Sequence, residues 1–129
     1  MVIGCGQCGG RIADQFALLN KVSQVKRNVN IATNIIAVNT DVADLSGLKH
    51  IKADYRQRIL IGGQQTGGHG VGKMNEIGAE VAHEDGDKVI EVIRDTKNFA
   101  DTDAFLLIAS AAGGTGSGAI SVLTRMIKE

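Results

Sequence analysis

The chain has no proline, only two cysteines, no excess of either charge and no long apolar run. Two cysteines this close together cannot form a disulfide framework, so we expect a reducing, cytoplasmic setting. Fourteen basic residues balance fourteen acidic ones without a Lys/Arg cluster, which argues against a nucleic-acid partner. No apolar run approaches the length of a membrane span, and we expect no signal peptide before the first glycine-rich segment.

Glycine is the residue that the sequence uses freely. The 17 glycines concentrate at 4–10, 62–72 and 113–118 instead of spreading as they would in a flexible linker. Glycines grouped where elements meet allow the backbone to come close to a ligand. With 129 residues, 43% of them hydrophobic, the chain has the size and composition of one globular α/β domain.

Apolar residues follow two alternating patterns. Short continuous runs, typical of strands buried on both faces of a parallel sheet, occur at Met1–Ile3, Ile35–Val38, Ile59–Ile61 and Ala104–Ala109. Helical spacing between and after them predicts buried stripes at Ile12, Phe16 and Leu19, at Ile77 and Val81, at Val89, Ile90 and Ile93, and at Ile120, Leu123 and Ile127. We expect a helix break at 84–87. This order predicts a three-layer, Rossmann-like α/β fold with a parallel sheet, and a loop or short helix after strand 2.

A polar or glycine-rich loop follows every predicted strand. The loops read "GCGQCGGR" at 4–11, "NTDVAD" at 39–44, "GGQQTGGHGVGK" at 62–73 and "AAGGTGSG" at 111–118. Because the carboxyl ends of parallel strands share one edge of the sheet, the loops should meet where doubly wound folds bind ligands. Their N–H groups and helix dipoles favour a polyanion such as a di- or triphosphate.

The first loop also matches the dinucleotide fingerprint G-x-G-x-x-G through Gly4, Gly6 and Gly9. A dinucleotide site places an acidic residue at the end of strand 2, about 20 residues after the glycines. Asp41 ends that strand but lies too far along the chain. A nicotinamide- or flavin-binding Rossmann domain is therefore the alternative, which leaves the other glycine loops unexplained.

Two further motifs are near misses. The two cysteines match C-x-x-C, but a thioredoxin-type pair needs a cis-proline, and this chain has no proline. A zinc site would need further ligands, and the three histidines do not have the spacing of zinc ligands. The 67–73 stretch matches a P-loop up to Met74, where a Ser or Thr should bind magnesium. In this loop we interpret His69 and Lys73 as solvent-facing, with contact to a γ-phosphate as the alternative.

The most specific motif is "AGGTGSG" at 112–118, which resembles the signature loop of the tubulin/FtsZ family. The resemblance extends along the chain. "GQCG" at 6–9 is similar to the first phosphate loop of the family, "AVNTDVADL" at 37–45 to the second, and "TGGHGVGKMNEIGAEVA" at 66–82 to the third loop and its helix. Loop order and spacing agree, and the pattern looks most like the archaeal tubulin-like CetZ group.

The resemblance implies binding of GTP/GDP with Mg²⁺, head-to-tail filaments and GTP hydrolysis at the interface between subunits. It places contacts to the α- and β-phosphates at Gly6, Gln7, Cys8, Gly9 and Gly10, with Arg11 just beyond. It assigns the phosphate cradle to Gly113, Gly114, Thr115, Gly116 and Ser117. It further assigns γ-phosphate contacts to Gly70, Val71 and Gly72, and a place near the magnesium or its waters to Asp41.

The matched positions cover only the phosphate half of the nucleotide pocket of a family member. The resemblance thus implies that residues 1–129 are part of a GTP-binding domain, without catalytic residues and without the C-terminal domain. We expect this chain alone to hydrolyse GTP poorly. A tubulin-like structural protein that does not hydrolyse GTP is an alternative. The expected partners are copies of the chain, in a filament when complete, or through a bare sheet edge as a dimer or by strand exchange.

Overall fold

The computed structural model describes residues 1–62, 75–96, 102–110 and 114–128. Its strands are β1 (Val2–Cys5), β2 (Ile35–Asn39), β3 (Arg58–Leu60) and β4 (Leu106–Ala109). Its helices are α1 (Gly6–Arg27), α2 (Val42–Ser46), α3 (Asn75–Arg94) and α4 (Gly114–Lys128). The predicted order of elements is confirmed, including the short helix after the second strand, and only the strand bounds shift slightly.

The four strands form one parallel sheet in the order β3-β2-β1-β4. Cys5 lies opposite both Val38 and Ala109, and Asn39 lies opposite Leu60, so the strands end level with one another. The chain moves outward from β1 to β3 and then returns to the far side of β1. This reversal places a topological switch point between β1 and β4, where doubly wound sheets bind ligands.

Helices cover both faces of the sheet, as the three-layer prediction requires. Alternate residues of β1 and β2 point to opposite sides, so that Val2 and Ile35 face α1 while Ile3 and Ile36 face α3 and α4. The α1 side of the core is small and the α3–α4 side is large. The larger cluster is built mainly from Ile3, Cys5, Ile36, Val38, Ile59, Ile61, Val81, Val89, Ile93 and Leu123.

The predicted helix break at 84–87 is wrong, because α3 runs through this stretch without interruption. Three contacts explain why. The Asp85 carboxylate accepts a hydrogen bond from the N–H of Gly62 at 2.5 Å, and Lys88 Nζ donates to the carbonyl of Leu60 at 2.9 Å, so both polar residues hold the end of β3. Gly86 is buried against Met126 of α4, where a Cβ would meet the methionine side chain.

The stripe predicted to bury α1 is correct only for Phe16, which is partly buried and packs against the core. Ile12 and Leu19 are 41% and 54% exposed, whereas the buried residues of α1 are Gly6, Gly9, Gly10, Ala13, Asp14 and Ala17. The helix lies so close to the sheet that only small side chains fit beneath it. Ile12 and Leu19 therefore point away from the core.

Two charged side chains fix the segment between α2 and β3. The carboxylate of Asp14 accepts hydrogen bonds from the backbone N–H groups of Lys49, His50 and Ile51 at 3.1, 2.8 and 2.9 Å. From the other side, the guanidinium of Arg58 donates to the carbonyls of Leu45, Leu48 and Ile51. Because both charges have backbone partners, this loop is anchored to α1 and to β3 at once.

Candidate functional site

The amino end of α1 lies directly at the carboxyl edge of the sheet. The helix begins at Gly6, immediately after β1, and Gly6 has a φ of 77°, a left-handed conformation that favours glycine. Neither a capping side chain at Cys5 nor an acidic residue in the first turn neutralises this end. The N–H groups of a first helical turn have no partner within the helix, so this terminus suits an anion.

Two glycines let α1 approach the strands. A Cβ on Gly4 would collide with the carbonyl of Gly9, and a Cβ on Gly9 would collide with the carbonyl of Ile108 in β4. The first turns of α1 are therefore pressed against β1 and β4, at the switch point of the sheet. Gly9 has a structural reason to be glycine that is separate from its predicted contact with phosphate.

Residues of the first loop divide sharply by exposure. Gly6, Gly9 and Gly10 are buried, whereas Gln7, Cys8 and Arg11 are exposed at the same helix end. The exposed amide, thiol and guanidinium groups therefore lie at the edge of the sheet, next to the buried backbone of the three glycines. Arg11 supplies the positive charge that an anion would pair with.

The turn that follows β2 is organised by its own side chains. Asn39 Oδ1 accepts hydrogen bonds from the N–H groups of Thr40 and Asp41 at 2.7 and 3.3 Å. Asp41 Oδ1 caps α2 by accepting from the N–H groups of Ala43 and Asp44 at 2.8 and 3.2 Å. Asn39 Nδ2 donates to Asp44 Oδ2 at 3.4 Å. Asp41 thus has a capping role that its assignment to magnesium did not anticipate.

A cavity of about 90 Å³ separates the start of α1 from α2. It is lined by Gly6, Gln7, Gly10, Arg11, Asn39, Ala43, Asp44, Leu45, Gly47 and Leu48. Four residues of the predicted first loop therefore meet the turn after β2. This space is smaller than a typical ligand pocket, so it has room for no more than one part of a ligand of nucleotide size.

The cavity also shows what the sequence interpretation missed. Asn39 and Asp44 line it, whereas Asp41 does not. Asn39 could have been identified from the sequence, because it ends β2 at the ligand edge. Only the geometry distinguishes the carboxylate that caps the helix from the one that faces the cavity.

The fourth loop leads into a second helix end at the same edge. The helix α4 begins at Gly114 after β4, carries no acidic residue in its first turn and packs against α1. Gly114, Thr115, Gly116 and Ser117 form its first turn, and their role as a phosphate cradle stays a prediction. Two helix ends thus meet at adjacent strands. Gly70, Val71, Gly72 and Gly113, like His69 and Lys73, lie outside the described residues.

The two cysteines have opposite environments. Cys5 is buried in the core on the α3–α4 side, where burial raises the pKa of its thiol to about 12. Cys8 is exposed at the start of α1, and both thiols are free. This separation agrees with the rejection of a redox pair. Within the described ranges, no three His, Cys, Asp or Glu residues group as metal ligands.

The described helices include none that is long and apolar enough to cross a bilayer.

The family model for the GTPase domain of the tubulin/FtsZ family matches residues 1–129. The chain belongs to the tubulin/FtsZ family. The resemblance recognised from the four loops is thereby confirmed, and with it the α/β fold of the family.

The curated relatives include archaeal tubulin-like proteins. The chain is 47% identical over 128 residues to the tubulin-like protein CetZ4 of Haloferax volcanii, an alignment that covers 99% of this chain and 31% of that relative. It is 39% identical over 129 residues to the CetZ of Pyrococcus abyssi, covering 100% of this chain and 32% of the relative. The chain thus spans about a third of the length of these relatives.

Solved structures of the same group share the fold. CetZ1 from Haloferax volcanii, a GDP-bound monomer, superposes with a TM-score of 0.87 at 43% identity and covers 98% of this chain and 36% of that chain. CetZ2 from the same organism, a GTPγS-bound protofilament, gives 0.84 at 32% identity, with 98% and 34% covered. The predicted similarity to the CetZ group is confirmed.

Proposed function

We propose that this chain is the phosphate-binding part of a GTP-binding, GTP-hydrolysing subunit of a tubulin-like filament. The observation that carries the proposal is the uncapped amino end of α1 at the switch point, with exposed Gln7, Cys8 and Arg11 around it. Membership of the family supports GTP as the ligand. The GDP-bound CetZ1 and the GTPγS-bound CetZ2 support a guanine nucleotide as the ligand.

In this proposal the two helix ends divide the phosphates between them. Backbone N–H groups at Gly6–Gly10 bind one side of the α- and β-phosphates, and Arg11 neutralises charge from the exposed side. The first turn of α4, from Gly114 to Ser117, binds the other side together with Gly113. Gly70, Val71 and Gly72 take the γ-phosphate.

Magnesium fits this edge as an ion held mainly by phosphate oxygens and water. Asp44 faces the cavity and Asp41 lies in the same turn, so either carboxylate can accept hydrogen bonds from water on the ion. When bound, Mg²⁺ would neutralise charge on the phosphates. We do not propose that any side chain of this chain coordinates the magnesium ion directly.

The assembly proposed for the complete protein is a head-to-tail filament of identical subunits in the cytoplasm. The protofilament of CetZ2 supports self-association in this group. Within the filament, residues 1–129 form part of the GTP-binding domain and contribute the phosphate loops.

Cys8 provides a direct test of nucleotide binding. In the folded chain, Ellman's reagent should modify one thiol quickly, because Cys8 is exposed and Cys5 is buried. GTP with Mg²⁺ should slow this reaction in proportion to occupancy, whereas NADH at the same concentration should not. Cys8→Ser assigns the fast phase by removing it. Equal rates with and without GTP would contradict the proposal, and protection by NADH alone would favour the dinucleotide alternative.

Arg11 tests the charge at the site. Arg11→Ala should weaken GTP affinity about tenfold, the value of one charge-assisted contact. Lys26→Ala is the matched control, since it removes a basic side chain from the far end of the same helix. Calorimetric titration with GTPγS measures both variants, and equal affinities would remove Arg11 from the site.

A further inference from the structure

The outward side of α1 carries aliphatic side chains that have no place in the core. Leu19, Val22 and Val25 follow one another at three-residue spacing and are 54%, 41% and 86% exposed. In the adjoining segment, Val29 and Ile31 are 53% and 54% exposed. We call these five residues the α1 patch. Single exposed aliphatic side chains are common on protein surfaces, but several neighbouring ones indicate an interaction surface.

The segment after α1 is fixed beside the helix, so the patch has a defined shape. Asn28 ends α1 in a left-handed conformation, with its N–H donating to the carbonyl of Gln24 at 3.1 Å. Asn20 Oδ1 then accepts hydrogen bonds from the N–H groups of Ile31 and Ala32 at 2.6 and 3.3 Å. These bonds hold Ile31 beside Asn20 of α1 and extend the apolar surface beyond the helix.

The exposed charges of α1 all have one sign. Its basic residues are Arg11, Lys21, Lys26 and Arg27, and its only acidic residue is Asp14. Lys21 lines a groove on the sheet side of α1 together with Asp54 and Asp95, whereas Lys26 and Arg27 lie outside that groove. Asp14 is buried and faces the Lys49–Ile51 backbone, so the outward side of α1 presents no carboxylate. Lys26 lies four residues after Val22 and seven after Leu19, on the same stripe. The chain as a whole has no net charge, which makes this concentration local.

This charge pattern decides between two kinds of partner. A symmetric contact with a second copy would bring Lys26 and Arg27 of both chains together, and like charges in an interface are unfavourable. An anionic surface has the complementary sign. Basic side chains can also lie along an apolar surface while their charges reach the headgroups of a bilayer.

We propose that the α1 patch, with Lys26 and Arg27, docks on the anionic headgroups of a lipid bilayer. The helix lies on the surface in this arrangement and does not cross it. Because α1 starts at the carboxyl edge of the sheet and runs back along it, the patch lies towards the opposite edge from Gly6–Arg11. The lipid surface and the proposed nucleotide site are therefore separate, and neither inference depends on the other.

Co-sedimentation with vesicles tests the proposal on the 129-residue chain. One set of vesicles contains equal parts of phosphatidylglycerol and phosphatidylcholine, and the other contains phosphatidylcholine alone. We expect binding to the anionic vesicles only, decreasing as added salt screens the charges. Lys26→Gln should weaken this binding about fivefold, the effect of one basic residue near such a surface.

Val25→Glu tests the apolar part of the patch and has a matched control in Val42→Glu. Both replace an exposed valine and change the net charge equally, but Val42 lies on α2 and is 49% exposed. We expect Val25→Glu to reduce binding to anionic vesicles roughly tenfold, because it removes apolar contact and adds a repelled charge. Val42→Glu should bind as the unsubstituted chain does. GTP affinity should be unchanged in Val25→Glu, and circular dichroism verifies that both variants fold.

Three outcomes would overturn the proposal. The first is equal binding to both kinds of vesicle. The second is an equal effect of Val25→Glu and Val42→Glu. The third is self-association in sedimentation velocity that Val25→Glu abolishes, without any binding to vesicles, which would make the patch an interface between copies of the chain.

Discussion

Asp14 is a single carboxylate that organises a whole loop. Burial alone would raise its pKa, but hydrogen bonds from the backbone N–H groups of Ile51, His50 and Lys49, together with the charge of His50, lower the pKa below its ordinary value. Ionised Asp14 is therefore favoured in the folded state. Its stabilising effect is complete above the ordinary carboxyl pKa of about 3.9 and disappears as the pH falls through the lower folded value.

Replacing this carboxylate should destabilise the domain. In Asp14→Asn one oxygen can still serve His50 and Ile51, but the new amide group would oppose the N–H of Lys49. We expect a loss of about 2 kcal/mol in the free energy of unfolding near neutral pH, measured by urea denaturation. The difference from the unsubstituted chain should shrink below pH 4 or so, as Asp14 becomes protonated. Glu91→Gln, on the exposed side of α3, is the control, and a difference independent of pH would contradict the assignment.

Adjacent glycines at the start of α1 should respond in opposite ways to the same substitution. A Cβ on Gly9 would collide with the carbonyl of Ile108, so Gly9→Ala should lower the free energy of unfolding by about 2 kcal/mol. A Cβ on Gly10 would meet its nearest atoms, in Ala37 and Leu48, at 4.0 Å. Gly10→Ala should therefore raise stability by roughly 0.5 kcal/mol through helix propensity. The urea midpoints of the two variants measure this difference. Destabilisation of equal size would contradict the open space that the structure shows around Gly10.

Among the elements, the contact between α3 and α4 depends on one missing side chain. Gly86 leaves room for Met126, and a larger residue there would push the two helices apart. Gly86→Leu should lower the free energy of unfolding by about 2 kcal/mol, and adding Met126→Ala should recover part of that loss. A double-mutant cycle by urea denaturation measures the coupling. If the two effects simply add, Met126 is not what limits the size of residue 86.

The sequence predicted the elements well because burial on both faces leaves a clear signature. β1 and β2 are fully buried and read as continuous apolar runs, so their place in a parallel sheet could be inferred. Local patterns failed where a distant contact decided the outcome. Polar residues and a glycine at 84–87 resemble a helix break, but β3 and Met126 supply the partners that keep α3 continuous.

The same limit applies to α1 and to the candidate site. Spacing of Ile12 and Leu19 indicates an apolar face, yet it cannot tell which face meets the sheet when the opposite one is lined by glycine and alanine. The loop after β1 was identified from its glycines and its place before a helix. Asp44 was missed because Asp41 and Asp44 have the same chemistry, and only the cap geometry separates them.

For the whole molecule, binding of GTP and its hydrolysis should be separable. Hydrolysis requires a positioned water and stabilisation of the charge that develops on the phosphoryl group. Asp44, the carboxylate that lines the cavity, already accepts a hydrogen bond from Asn39 within the turn after β2. We therefore expect the 129-residue chain to bind GTP but to release phosphate far more slowly than a full-length CetZ relative assayed beside it by malachite green. Turnover at the rate of that relative would show that these residues suffice for catalysis.

The position of β1 in the sheet has a consequence for how the domain forms. This strand precedes the other three described strands along the chain, yet it needs β2 on one side and β4 on the other. The backbone nitrogen of Met1, just before β1, donates to the carbonyl of Ala104, a partner 103 positions away. During synthesis, β1 can therefore pair early with β2 but must wait for most of the chain before its second edge is covered. Closing so distant a contact slows folding, and until then an apolar strand edge is open to solvent and to other chains.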